Sequence, residues 1–290
     1  MIFLNINLNK KISYVKNINK KKKGENMTIT SKDNETIKHI KKLKEKKYRE
    51  EYGEFIVEGI KMIEEAILEN AKIKSIIICD DCKTAGNIPN ELMYEIAKLN
   101  CIYVAEKIFN SITEVTNPQG IMAIIEKPLN KENEIDFKEE NFLILDNIQD
   151  PGNMGTILRT ADSLNIKQII VSKGSADIYN PKVVRSTMGA IFRIKVIEAE
   201  NLAKTIKELK KHKINVYATD LKTDKSIYDV NYTKSAIVIG NEANGVSEAV
   251  LNEATTRIKI PMIGKTESLN AAVATSVILY EAFRSIGKIK

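Results

Sequence analysis

No stretch of these 290 residues approaches the ~18 uncharged apolar residues of a membrane helix, which excludes helical spans. Cysteine is scarce: Cys79, Cys82 and Cys101 cannot all pair, so no disulfide framework is expected and thiols in a reducing cytoplasm fit best. Cys79-Asp-Asp-Cys82 has the spacing of half a zinc site. A closed site needs a full tetrahedral set, and only Cys101, His39 and His212 remain to complete it, so no metal is expected. A Walker-type loop is also missing, which removes the P-loop nucleotide hydrolases. A doubly wound cofactor domain would carry GxGxxG after its first strand. Here the run Phe142–Leu145 leads instead into Asp146-Asn-Ile-Gln-Asp-Pro-Gly-Asn153, and Gly240-Asn-Glu-Ala-Asn-Gly245 follows a late strand without the middle glycine.

What is present suits two domains of ordinary size. The net charge of +7 is unevenly spread. Residues 1–26 contribute +6 from seven lysines and one glutamate, residues 27–140 sum to −5, and residues 141–290 sum to +6. Within the acidic middle, eight basic residues cluster between Lys32 and Arg49, the footprint of a polyanion-binding face. The leading segment has no apolar core or cleavage pattern of a signal peptide. Lys22-Lys-Gly-Glu-Asn26 could be encoded by a purine-rich string resembling a ribosome-binding site, so Met27 is a candidate initiator; a basic arm that touches RNA is the competing reading.

Residues 31–50 read as one lysine-rich helix with Ile37, Ile40 and Leu43 at helical spacing. Strands are expected at Phe55–Val57, Ile73–Cys79, Ile102–Val104 and Gly120–Ile125, alternating with helices through Met62–Ile67, Glu91–Leu99 and Glu106–Ile112. That alternation predicts an α/β/α layered domain over 27–126. Residues 127–140 are polar and charged and read as a linker. From 141 to 290 the strands are continuous apolar runs: Phe142–Leu145, Gln168–Val171, Asn215–Ala218, Ala236–Ile239 and Arg257–Ile260. Helical stretches between such runs describe a parallel sheet buried on both faces. The last helix, Leu269–Ile286, is apolar enough to demand a packing partner.

Three segments of the second half stand where strand-like runs give way to loops or helix starts, the places where α/β proteins put ligand chemistry. They are Asn153-Met-Gly-Thr-Ile-Leu-Arg159, Ile239-Gly-Asn-Glu-Ala-Asn-Gly-Val246, and Ile260-Pro-Met-Ile-Gly264 running into Ser268-Leu-Asn-Ala-Ala-Val-Ala274. Together and in this order they closely resemble the signature motifs of the SpoU (TrmH) family of RNA ribose 2′-O-methyltransferases. Arg49 ahead of Phe55-Ile-Val-Glu-Gly59 more loosely resembles that family's RNA-binding N-terminal domain. The resemblance implies a C-terminal α/β trefoil-knot (SPOUT) domain with a smaller N-terminal α/β/α RNA-binding domain. It also implies S-adenosylmethionine as methyl donor, a homodimer formed through the C-terminal domain, and structured RNA as substrate, with ribosomal RNA ahead of transfer RNA. A non-catalytic RNA-binding or ribosome-assembly protein on the same fold is the alternative.

Carried over position by position, the resemblance gives Gly240, Ile260 and Leu269 to the cofactor, with Met262 and Gly264 shaping the same loop. Arg159 matches the catalytic arginine, and Asn153, Glu242, Ser268 and Asn270 match polar positions around it. In the family the arginine is the base that takes the hydroxyl proton. Arginine side chains hold their protons, and lowering a guanidinium pKa by ~5 units costs on the order of 7 kcal/mol. A clamp on an RNA phosphate asks less. Asn153 is expected to cap a helix Met154–Asn165. Lys38, Lys41, Lys42 and Arg49 are expected to face RNA, as are Lys182 and Arg185 of Asn180-Pro-Lys-Val-Val-Arg185, a further family-like segment.

Overall fold

A computed structural model describes residues 28–289; the basic segment 1–26 and Met27 lie outside the described residues. The chain divides into two units: one reaches Pro128 and takes in Tyr179–Phe192, and the other holds Leu129–Ile178 and Arg193 onward.

The first unit runs α1 (Glu35–Lys42), α2 (Lys46–Tyr52), β1 (Glu54–Glu58), α3 (Ile60–Leu68), β2 (Ile73–Cys79), α4 (Asn90–Ile96), β3 (Cys101–Val104), α5 (Glu106–Ile112) and β4 (Ile121–Glu126). Its sheet has the order β1-β4-β2-β3, with β4 antiparallel to both neighbours and β3 parallel to β2. The single lysine-rich helix expected over 31–50 is two helices with a break at 43–45. Arg49 explains the break. It is only 2% exposed, and its Nη1 donates to the carbonyls of Leu43 (2.8 Å) and Lys44 (2.7 Å), which the broken helix leaves without partners. The expectation that Arg49 faces RNA is therefore corrected: it fastens α2 to the end of α1.

The free-thiol expectation is corrected as well. Cys79 and Cys82 form a disulfide, because the turn that ends β2 brings their Cα atoms to 5.5 Å. Cys101 is a buried thiol outside the disulfide, its Sγ donating to the Ile96 carbonyl at 3.3 Å.

In the second unit the order is β5 (Asn141–Asp146), α6 (Pro151–Ser163), β6 (Gln168–Ser172), α7 (Pro181–Ser186, grouped with the first unit), β7 (Lys195–Ala199), α8 (Leu202–Lys211), β8 (Asn215–Thr219), β9 (Ser235–Gly240), α9 (Glu248–Glu253), β10 (Thr256–Ile258) and α10 (Ala271–Ser285). Six parallel strands lie in the order β10-β8-β9-β5-β6-β7. β9 is buried along its whole length, which is why it reads as a continuous apolar run. β7 escaped the sequence reading. It is an edge strand whose Glu198 points to solvent, so its apolar run is broken by charge.

α7 and the turn after it pack on the first unit: the Phe55 ring lies 4.8 Å from that of Tyr179 and 6.5 Å from that of Phe192. The stretch expected to be a linker is folded from Leu129 onward. Ile135 is buried, Asn130 Nδ2 donates to the Val196 carbonyl at 3.1 Å, and Gln168 Nε2 donates to the Asp136 carbonyl at 3.0 Å. Side-chain hydrogen bonds hold this stretch, and they leave no hydrophobic period to detect. Among the described residues no helix is long and apolar enough to cross a membrane.

Candidate active site

The three segments meet at the carboxyl ends of β5, β9 and β10, the end of a parallel sheet where loops collect ligands. β5 stops at the buried Asp146, whose carboxylate accepts from the Ser247 amide at 2.8 Å and so fixes the chain after β9. Asn147 then turns the backbone with φ +60°. Asp150 caps α6, its carboxylate accepting from the Asn153 amide at 2.7 Å, and Pro151 opens the helix. Asn153 was expected to be the cap; it instead lies inside the first turn. The Asp-Pro pair is the signal that identifies the true start.

That shift frees the Asn153 side chain. Its Nδ2 donates to Glu242 Oε1 at 2.9 Å, and its Oδ1 accepts from Asn270 Nδ2 at 2.9 Å. Asn270 caps α10 through its Oδ1, which accepts from the amides of Ala272 (2.9 Å) and Val273 (3.3 Å). Glu242 also accepts from the backbone amides of Asp150 (3.2 Å) and Gln149 (3.3 Å). Partial burial pushes the Glu242 carboxyl up, but the Asn153 amide and the surrounding backbone N–H groups outweigh it and leave the group below its ordinary range. It is an anion at neutral pH. A continuous run Glu242–Asn153–Asn270 thus joins all three segments, so three residues picked from separate motifs share one network.

Gly240 ends β9 at a point where a side chain has no room. A Cβ there would sit 2.1 Å from the Gly245 carbonyl carbon and the Val246 nitrogen, inside its own loop. Absence of a side chain lets 241–245 fold back on the strand, with Asn241 and Gly245 exchanging backbone hydrogen bonds of 3.0 and 2.9 Å. Asn241, which the sequence reading passed over, ties this loop to the Asn147 carbonyl at 2.8 Å.

The third loop has the opposite character. Pro261, Met262, Gly264 and Ser268 are exposed and Ile260 and Leu269 half-buried; Ile263 is fully exposed. Among the described residues, no backbone hydrogen bond involves residues 260–269, and nothing stands within 4 Å of a Cβ built on Gly264. Apolar side chains beside unspent amides and carbonyls suit a flat heteroaromatic ring read by the main chain, so these residues fit an adenine-bearing cofactor.

Arg159 is exposed on α6 and enters no ion pair or hydrogen bond among the described residues; the same holds for the hydroxyl of Ser268. Neither joins the network. α6 and α10 are pinned side by side at a second level, where Thr160 Oγ1 and Ser276 Oγ are 3.3 Å apart. A cavity of about 490 Å³ lies elsewhere, lined by Glu140, Tyr232, Thr233 and Lys288 at the amino ends of β5 and β9, and shares no residue with the three segments.

Of the cations expected to meet RNA, Lys38, Lys42 and Lys182 are exposed and Lys41 half-exposed. Lys38 pairs with Glu35 at 2.9 Å. Arg185 is 34% exposed, with its Nη1 3.9 Å from Glu114.

Residues 140–280 match the SpoU rRNA methylase family, and residues 34–123 match the MRM3-like substrate binding domain. The 23S rRNA (guanosine(2553)-2′-O)-methyltransferase RlmP of Bacillus subtilis is 34% identical over 253 residues, 87% of this chain and 97% of that protein. The AdoMet-bound rRNA methyltransferase of Sinorhizobium meliloti superposes with a TM-score of 0.79 at 30% identity, over 90% of this chain and 98% of that one. The SpoU methyltransferase AviRb of Streptomyces viridochromogenes, in complex with AdoMet, gives 0.79 at 27% identity, over 87% and 98%. With relatives of this similarity along nearly their full length, the chain belongs to the SpoU rRNA methylase family.

Proposed function

We propose that the protein transfers a methyl group from S-adenosylmethionine to a ribose 2′-hydroxyl of structured RNA, with 23S ribosomal RNA as the substrate. The observation that carries the reading is the hydrogen-bonded run Glu242–Asn153–Asn270, which ties the strand-end segments into one preorganised rim. The 23S rRNA methyltransferase from Bacillus subtilis, matched over 97% of its length, favours ribosomal over transfer RNA.

S-adenosylmethionine supplies an electrophilic methyl on a sulfonium, and no metal is needed for such a displacement. Ile260, Met262, Gly264 and Leu269 would hold it, main chain against the adenine, while Gly240 shapes the neighbouring loop. Glu242 is saturated by N–H donors, so its part is to fix Asn153 and the 147–150 loop. Arg159, exposed on α6 and unpaired among the described residues, is free to grip an RNA phosphate with two N–H groups, orient the 2′-hydroxyl and stabilise charge developing on its oxygen. The hydroxyl proton then leaves to solvent. Ser268 lies within reach of incoming RNA at the exposed end of the third loop.

The knotted passage of the chain end belongs to this reading, as does a cytoplasmic homodimer. Val273, Val277 and Tyr280 are 50%, 37% and 49% exposed at helical spacing along α10, an apolar stripe suited to a second copy.

The test is calorimetry with S-adenosylmethionine, followed by transfer of a labelled methyl to ribosomal RNA from a strain deleted for the gene. Heat of binding and a new 2′-O-methyl mark are expected. Donor binding without transfer to any RNA would leave a non-catalytic RNA binder.

A further inference from the structure

The first unit carries an aromatic and basic cluster that the active-site reading does not use. Tyr48 and Tyr52 are one turn apart on α2, their rings 6.0 Å apart and within 12° of parallel. His39 of α1 packs against the far end of this pair, its ring 4.8 Å from that of Tyr52 and tilted by 57°. The amines of Lys42 and Lys47 stand over the Tyr48 ring at 5.4 and 5.5 Å. Both tyrosines are half-exposed, and neither phenol makes a hydrogen bond within the described residues. The pair is built to hold its shape. Arg49 pins α2 to the carbonyls of Leu43 and Lys44, and Glu54 accepts from His39 at 2.6 Å while pairing with Lys74 at 2.7 Å. Glu50 is engaged by Lys46 at 3.6 Å, and among the described residues neither the Lys42 nor the Lys47 amine pairs with a carboxylate.

The geometry points to a stacking platform for an unpaired RNA nucleotide: a base lies on Tyr48, continuing the Tyr48–Tyr52 row, while Lys42 and Lys47 move from the ring to the flanking phosphates. The inference rests on the RNA-substrate reading above and adds which kind of RNA feature the first unit selects. Paired bases have both faces covered by their neighbours, so only a loop, bulge or flipped base offers a π-face to such a row. Amines held beside a ring are also the arrangement in which stacking and phosphate contact act on one nucleotide.

The experiment uses the full chain and two fluorescent RNA probes: a stem closed by an unpaired loop, and the same stem as a blunt duplex. Tyr48→Leu keeps apolar volume and removes the ring; Tyr48→Phe keeps the ring. Tyr48→Leu is expected to weaken loop binding about tenfold or more, while duplex affinity stays and Tyr48→Phe behaves as wild type. Lys42→Gln and Lys47→Gln are expected to weaken both probes and to lower the salt slope by about 1 each. Circular dichroism of each variant separates this from misfolding. Equal loop affinity for folded Tyr48→Leu and wild type overturns the platform while leaving the methyltransferase reading intact. A wild-type chain that binds neither probe overturns both.

Discussion

Asn153 and Asn270, 117 positions apart, share a 2.9 Å hydrogen bond between their side-chain amides, and each has a second task at a helix start. Asn270 caps α10, and Asn153 reaches from the first turn of α6 to Glu242. The two helices that frame the rim are thereby locked to the loop after β9. Asn153→Ala removes a donor and an acceptor at once from partly exposed groups, at about 1 kcal/mol of stability. Asn153→Asp is expected to be worse for cofactor affinity, because it sets a second carboxylate against an anionic Glu242 and cannot donate to it. Calorimetric titration with S-adenosylmethionine should rank wild type above Asn153→Ala above Asn153→Asp. An aspartate variant that binds as tightly as the alanine variant would mean the contact with Glu242 is unimportant.

Gly240→Ala tests the packing of the second loop. A methyl 2.1 Å from the backbone at Gly245–Val246 cannot be accommodated by a side-chain shift, so the loop itself must move. The expected cost is on the order of 4 kcal/mol, in the range reserved for strain and overpacking. Denaturant unfolding would show a lowered midpoint, and donor binding should be lost in whatever remains folded. Gly264→Ala is the contrast: no atom lies within 4 Å of the added Cβ, so stability should hold.

Most of the strands were readable because the second sheet is parallel and buried, so burial and hydrophobicity coincide along β5, β6, β8 and β9. The edge strand β7, with Glu198 outward, carries no such signal. The residues of the rim were readable as three motifs, and Glu242, Asn153 and Asn270 do meet. Their roles were less legible. Asn153 was misplaced by a turn because Asp150, three residues earlier and followed by Pro151, holds the cap. Arg49 stands both in the basic cluster and in the family-like stretch ahead of Phe55, and only the break at 43–45 shows why a guanidinium lies buried there. The disulfide depends on the local turn after β2, and the folded 129–140 stretch on polar contacts, neither of which has a sequence period.

Glu58, at the end of β1, predicts a pH effect of a definite sign. Burial raises its pKa, opposed by the Thr113 hydroxyl, the Glu114 amide, Arg185 and Lys44. An acid whose folded pKa lies above its unfolded value of about 4.3 keeps its full contribution at lower pH and loses stability as pH rises through the folded pKa. Glu58→Gln retains the hydrogen-bonding shape without the charge. Its melting temperature should equal or exceed that of wild type at pH 8, with the difference shrinking towards pH 4. A glutamine variant less stable at pH 8 than at pH 4, relative to wild type, would show that Arg185 and Lys44 outweigh desolvation.

Arg159→Lys separates the clamp from the cofactor site. Arg159 is exposed on α6 outside the Glu242–Asn153–Asn270 run, with no ion pair or hydrogen bond among the described residues, so the melting temperature should be unchanged. Lysine keeps the charge and loses the planar pair of donors, which a phosphate and a developing oxyanion both use. Methyl transfer to ribosomal RNA is expected to fall by about 10² to 10³ in kcat, the range for removal of one preorganised donor. S-adenosylmethionine affinity should stay within twofold of wild type, and RNA affinity should drop far less than turnover. If Arg159 acted only as a general RNA anchor, KM would rise with kcat preserved, and lysine would substitute for it well.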